Sequence, residues 1–168
     1  MTGRKLGLLE GAALLAIVTL GSSLEVDRRR DPRIYERQHK PRWAPPSWLF
    51  GLVWPVLNTL QIWGDVGLLN DKATPNRTPL LGLRGANWLL YFLFTPAYFR
   101  ARSPVLGAAV AFAQTAVAFT TLLVADRRAP RVTAATAPLA AWLSYASVLS
   151  VAVARRNRDP VVAAVTGR

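Results

Sequence analysis

Cysteine is absent from the chain, which rules out a disulfide framework, a thiolate metal site and a cysteine nucleophile, and leaves the redox compartment undetermined. Histidine occurs once, at His39, within a charged stretch that reads as a solvated loop. A lone histidine has no second histidine with which to share a metal, and no Ser, His and acid grouping is readable from spacing, so metal and hydrolytic catalysis both lack parts. Acids are scarce as well. The nine Asp and Glu fall mostly in polar stretches or at the ends of apolar ones, where no enclosed carboxylate pair can do acid–base work. Glycines are scattered, without the run that cradles a phosphate. Asn76-Arg77-Thr78 matches the glycosylation sequon, a pattern too short to carry weight.

What the chain does have is apolar length. Its 168 residues are 52% hydrophobic and 18% charged, too little polar surface to cover an ordinary soluble domain. Trp43 to Gly64, Val105 to Ala125 and Val132 to Ala154 each exceed twenty residues without a charge, enough for a helix to cross a hydrocarbon core. Thr78 to Phe99 has the same length but carries Arg84, and Leu6 to Val26 carries Glu10 and Glu25. The reading is an all-α integral membrane bundle, one domain over 1–168, with five transmembrane helices at about 6–26, 46–69, 78–99, 104–125 and 132–154. For the first segment a signal peptide is the rival, because Arg4 and Lys5 precede GAALLAIVTL and the small residues GSS. Glu10 interrupts what would be the signal core and favours a retained helix. PRIYERQHKPR, DKATPNRT, RARSP and DRRAPR read as connectors between antiparallel helices.

The net charge of +12 suggests nucleic acid until the basic residues are located. They lie in the connectors. The loop at 27–42, the loop at 100–102 and the carboxyl end carry thirteen Lys and Arg, while the amino end and the loops near 71–77 and 126–131 carry seven. The bias of basic residues toward the untranslocated side places the first loop and the carboxyl terminus in the cytoplasm, the amino terminus outside, and nucleic acid off the list of partners. The cell membrane is the expected location.

Helical spacing singles out the segment after residue 46. Ser47, Gly51, Trp54, Asn58, Gln61 and Asp65 form a polar and small stripe on one face, with Leu49, Leu52, Val53, Val56, Leu57 and Leu60 around it. In lipid such a stripe must face other helices or a wet cavity, either as interhelical glue or as part of a site. Four of six tryptophans crowd between Trp43 and Trp63. Pro45 and Pro46 suit a helix start, since they lack donors that would be unpaired there anyway. Trp43 and Trp48 fit an interfacial belt, whereas Trp54, about two turns deeper beside Pro55, fits an aromatic wall for a flat ligand.

These residues resemble the TspO/MBR family, the tryptophan-rich sensory proteins and mitochondrial translocator proteins (peripheral benzodiazepine receptors). The family's K-P, W-x-P-P-x-W, V-W and L-Y pattern is similar to KPRWAPPSWLFGLVWPVLN, matching Lys40, Pro41, Trp43, Pro45, Pro46, Trp48, Val53, Trp54 and Leu57, with Asn58 in place of tyrosine. W-x-P-x-F-F resembles FTPAYF at Phe94, Pro96, Tyr98 and Phe99, without the tryptophan. P-x-L-A-W with L-N resembles PLAAWLSYASVLS, with Trp142, Tyr145 and Leu149 in step and Ser150 replacing the asparagine, and continues to Asn157. The similarity spans about 35–157. It implies a five-helix bundle, often a homodimer, that binds hydrophobic molecules such as porphyrins, sterols and benzodiazepine-type drugs beneath the first loop. Carried over, the ligand-binding residues are Trp43, Phe50, Trp54, Asn58, Asn87, Tyr91, Phe94, Trp142, Tyr145, Ala146 and Leu149. No metal, cofactor or catalytic residue is implied. Two further positions depart from the family, where Val110 replaces an acid and Tyr91 an asparagine.

The resulting expectation is a membrane receptor, sensor or transport-associated protein for porphyrin- or sterol-like ligands, and not an enzyme. Two other classes stay open. A proton-coupled carrier would use an intramembrane acid such as Glu10, although no paired repeats are visible. A tetrapyrrole-degrading enzyme would suit a tryptophan-lined pocket, yet no residue stands out as acid, base or nucleophile. Arg84 is foreign to the family pattern and costs about 2.5–3.5 kcal/mol at a membrane centre, so it should snorkel to the outer interface or pair with Asp65.

Overall fold

A computed structural model describes Gly7, Glu10, Gly11, Ala13, Val18 and residues 34–167, and among these every regular element is a helix. The elements are α1 (Ile34–Arg37), α2 (Ser47–Asn70), α3 (Arg77–Thr95) running into a π-helical turn (Pro96–Arg100), α4 (Pro104–Ala125), a 3-10 turn (Asp126–Arg128), α5 (Pro130–Ala154) and α6 (Pro160–Thr166). Prolines set the starts. Pro46, extended at φ −65 and ψ 151, is the N-cap of α2, so the helix begins one residue later than its double proline suggests. Pro104, Pro130 and Pro160 each open a helix, where a missing N–H leaves no bond unmade. At Pro96 the same missing donor falls inside a continuing helix, and the ladder widens there, Ala101 N donating to Pro96 O at 3.0 Å. The first connector is not plain loop, because IYER closes one helical turn. Of the segment at 6–26, Glu10, Gly11, Ala13 and Val18 are helical, Gly7 is not, and the remainder lies outside the described residues.

Two of the described helices are long and apolar enough to cross a membrane: α4 with the 3-10 turn that follows it, and α5. Asn58, Gln61 and Asp65 dilute the apolar character of α2, as Arg77, Arg84 and Asn87 dilute that of α3. All four long helices nevertheless carry polar groups inward and apolar groups outward. Gln61, Arg84, Asn87, Gln114, Thr136 and Ser147 are buried, while Leu123 is 80% exposed and Leu52, Val56, Leu89 and Val148 are about as open as Trp48. A protein surrounded by water would invert that pattern; one surrounded by lipid requires it.

Packing runs α2 to α5, α5 to α4 and α4 to α3, with only a thin seam between α2 and α3. Small residues allow the close contacts. Gly107, Ala108, Ala111, Ala118 and Ala125 lie on the buried face of α4, and a Cβ added to Gly64 would lie 2.7 Å from Ala135 Cβ. One core joins Leu57, Ala118, Leu139, Ala140 and Leu143; a second, at the opposite end, joins Leu68, Leu80, Ala125, Ala129 and Val132. Antiparallel order gathers α1, the start of α2, the π turn, the start of α4, the end of α5 and α6 at one end of the bundle.

That end is stapled by Asp159. One carboxylate oxygen accepts from Val161 N (3.0 Å) and Val162 N (3.1 Å) and caps α6, while the other accepts from Ser103 Oγ (2.7 Å) and Val105 N (2.8 Å) at the head of α4. Burial pushes the Asp159 pKa up, but these four hydrogen bonds outweigh it and hold the carboxyl below its ordinary value of 3.8. Because the folded value is depressed, this stabilisation is present above pH 3.8 and lost as pH falls through the lower folded value. Asp159→Ala is expected to lower stability by about 2 kcal/mol near neutral pH, since α6 loses its cap and Ser103 Oγ and Val105 N lose their acceptor, and Asp159→Asn by about half as much. Detergent unfolding curves at pH 7 and below pH 3.5 check both, as the wild-type advantage over Asp159→Ala should shrink in acid.

Candidate ligand-binding site

Two ring clusters occupy the half of the bundle nearest the stapled end. In the first, Trp43 meets Tyr145 (5.8 Å between centroids), Tyr145 meets Trp142 (5.6 Å), Trp142 meets Phe50 (5.8 Å), and Phe50 meets Tyr35 (5.3 Å). Lys40 Nζ sits 4.4 Å from the Tyr35 ring centroid. In the second, Tyr91 takes the edge-to-face partners Trp54 (5.2 Å), Trp88 (5.7 Å) and Phe92 (5.3 Å). Trp54 and Trp142 do not touch. Both pack on the same core of Leu57, Leu139 and Leu143.

Between α2 and α5 lies an open groove of about 590 Å³ lined by Leu49, Val53, Leu57, Pro138, Ala141, Trp142 and Tyr145. Its lining is apolar except for the tips of Trp142 and Tyr145. Tyr145 donates to Trp43 O at 3.2 Å. Trp142 Nε1 is buried and has no acceptor among the described residues. A buried indole N–H without a partner is costly, and its presence beside a groove marks where an acceptor would be welcome.

The connector at 34–46 is tied within itself, to α2, to the π-helical turn and to the linker after α5. Tyr35 donates to Pro45 O (2.9 Å), Ser47 to Glu36 (3.0 Å), and Tyr98 to Gln38. His39 and Asn157 exchange two hydrogen bonds, 2.9 and 3.0 Å, between the backbone of one and the side-chain amide of the other. The His39 side chain itself is exposed. Burial, with Tyr145 nearby, pushes the Tyr35 pKa up to about 12, so its hydroxyl remains a donor throughout the physiological range.

The inward stripe of α2 starts lower than its spacing suggests. Ser47 and Gly51 are exposed, Trp54 is half-buried, and Asn58 and Gln61 are buried. Asn58 Nδ2 donates to Tyr91 Oη at 2.9 Å across the thin α2–α3 seam, so a polar pair and an aromatic pair close the same gap. Asn87 turns instead to α4, accepting from Gln114 Nε2 at 3.3 Å. Phe94 stacks on Tyr98 at 5.5 Å. Ala146 and Leu149 continue the Trp142 face of α5 one and two turns onward, and Leu149 is buried. Trp43, Phe50, Trp142 and Tyr145 are therefore brought together, as are Trp54, Asn58 and Tyr91, whereas Asn87 and Phe94 look toward other partners.

Below the rings sits a network that single-helix spacing did not assemble. Arg84, 3% exposed, donates to Asp65, to the Gln61 side chain, to Gln61 O (3.1 Å) and to Thr136 Oγ1 (3.2 Å). Trp88 Nε1 donates to the other Asp65 oxygen at 2.7 Å, and Gln61 Nε2 to Ala135 O at 2.6 Å. Of the two expected outcomes for Arg84, pairing with Asp65 is the one adopted. Trp88 and Thr136 were missed as partners, although Trp88 follows Arg84 by one helical turn and shares its face. Through Trp88 the network braces Tyr91, and through Tyr91 it braces Trp54.

A helical bundle that turns polar side chains inward and apolar ones outward has the architecture of a membrane protein. The chain belongs to the TspO/MBR family, whose family model matches residues 11–156. It is 28% identical to the translocator protein of Homo sapiens over 131 residues, which cover 74% of this chain and 75% of that protein. Membership assigns it a receptor or transport-associated role in a membrane.

Proposed function

We propose that the protein binds flat hydrophobic molecules of the porphyrin or sterol type between its ring clusters, as a receptor or transport-associated protein built on five membrane-crossing helices. The orphaned Trp142 Nε1–H is the observation that carries this reading, because it pairs an apolar groove with one directed donor. A planar ligand with a carboxylate or carbonyl at its edge satisfies that donor while its face covers the groove lining. The bound ligand would contact the residues carried over from the family, with Trp54, Tyr91 and Asn58 on one side and Phe50, Trp142 and Tyr145 on the other. The first segment would complete the bundle, a reading supported by Gly11, where an added Cβ would lie 3.8 Å from Val66 Cγ2 on α2. Orientation follows the charge bias, with the stapled, arginine-rich end cytoplasmic in the cell membrane, and a homodimer is the expected assembly.

Protoporphyrin added to purified protein in detergent should quench tryptophan fluorescence saturably, approaching one ligand per chain. The absorption spectrum of recovered porphyrin should be unchanged after incubation, as suits a receptor rather than a degrading enzyme. Linear, unsaturable quenching equal to that of free tryptophan in micelles would remove the binding reading, and a bleached or shifted spectrum would turn it toward catalysis.

A further inference from the structure

Helix α6 has an unusual setting for a terminal helix. Its sequence, PVVAAVT, contains no charge, and Val162 and Val165 are 41% and 82% exposed. Yet it is held in place, since the Asp159 carboxylate that caps α6 also accepts from Ser103 Oγ and Val105 N. Those two groups stand at the first turn of α4, one of the helices long and apolar enough to span a membrane. The start of α4 marks the membrane surface, so the staple fixes α6 at that level. Around it Arg100, Arg102, Arg155, Arg156 and Arg158 are all exposed. The acids described at this end are both engaged, Asp159 in the staple and Glu36 with Ser47.

An apolar face and a group of exposed cations at headgroup depth are the two parts of an interfacial lipid anchor. Valines alone would fit any lipid, and arginines alone any anion; together at a bilayer surface they select an anionic leaflet. We propose that α6 and these five arginines form a docking surface for anionic lipid headgroups. The valines enter the headgroup–acyl boundary, and the guanidinium groups hold lipid phosphates. The surface is distinct from the ring-lined groove, whose lining it does not share, and it does not depend on what that groove binds.

The absence of cysteine makes Val165→Cys a unique attachment point in the full chain. A nitroxide placed there, with the protein in nanodiscs, can be scored for collision with a water-soluble nickel relaxant and with oxygen. In phosphatidylglycerol-rich discs nickel accessibility should fall at least about threefold relative to phosphatidylcholine discs, reflecting several arginines acting together. About 1 M salt should restore it, since screening at that concentration acts within about 3 Å. The combined Arg155→Gln, Arg156→Gln and Arg158→Gln variant should show little difference between the two lipids. All three side chains are exposed, so the variant should fold, and unchanged thermal unfolding in detergent confirms that it has. Equal aqueous exposure in both lipids would overturn the proposal. So would a nitroxide shielded equally in both lipids and broadened by a second spin, which would show that another copy of the chain covers α6.

Discussion

Asp65→Ala is expected to destabilise the protein by about 3–5 kcal/mol, the range measured when one member of a buried ion pair is removed. The cost arises from what is left behind. Arg84 is 3% exposed, and without Asp65 its guanidinium retains only the neutral acceptors of Gln61 and Thr136 at membrane depth. Trp88 Nε1 would also lose its acceptor. Arg84→Met should cost less, because the Asp65 carboxylate still accepts from Trp88. Replacing both, as Arg84→Met with Asp65→Leu, should recover most of the loss, since an apolar pair carries no desolvation penalty. Denaturation in mixed micelles gives all three values and the coupling between the sites. A loss below about 1 kcal/mol for Asp65→Ala would mean that the pair behaves as an exposed one and that water reaches this depth.

The long helices were legible because lipid and proline leave plain marks. Charge-free runs of more than twenty residues locate α4 and α5, and Pro104 lies at the head of the first. One-turn α1 and seven-residue α6 carry too few residues for any period to show, so both were missed. The stripe on α2 was readable as a stripe, but its depth was not. Gly51 and Ser47 share the helix face with Asn58, yet among the described residues no helix covers that face near its start. Arg84 shows a different limit. Sequence allowed it two fates, and the choice rested on Gln61 and Thr136, which stand on two different helices and offer acceptors to the same nitrogen. Trp54 and Trp142 both stood out in the sequence, but the pairing of each with its ring partners did not. Their separation into two ring clusters follows from which neighbours reach them first, Tyr91 for one and Phe50 with Tyr145 for the other.

Trp142→Ala is expected to weaken protoporphyrin binding tenfold or more, and Trp54→Ala by a similar factor. A ring stacked on a planar ligand contributes about 0.5–1.5 kcal/mol beyond area, and lost burial adds about 25 cal/mol per Å², against roughly 1.4 kcal/mol for each tenfold change. Trp142→Phe separates the two parts of the argument. It keeps a ring against Phe50 and Tyr145 but removes the orphaned N–H, so the loss should be smaller, about threefold to tenfold for a net hydrogen bond of about 0.5–1.5 kcal/mol. The same variant should be neutral or slightly stabilising without ligand, because a buried donor lacking an acceptor among the described residues has been removed. Trp48→Ala is the cleaner control, being 63% exposed at the mouth. Trp43 is 49% exposed but packs on Tyr145 and accepts its hydroxyl, so an intermediate loss is expected there. Titrations of the five variants by porphyrin absorbance, which does not depend on tryptophan number, would rank them. Wild-type affinity in both Trp54→Ala and Trp142→Ala would place the ligand outside the ring clusters. A full loss in Trp142→Ala with none in Trp142→Phe would mean that the site reads the ring alone and that the indole N–H has another purpose.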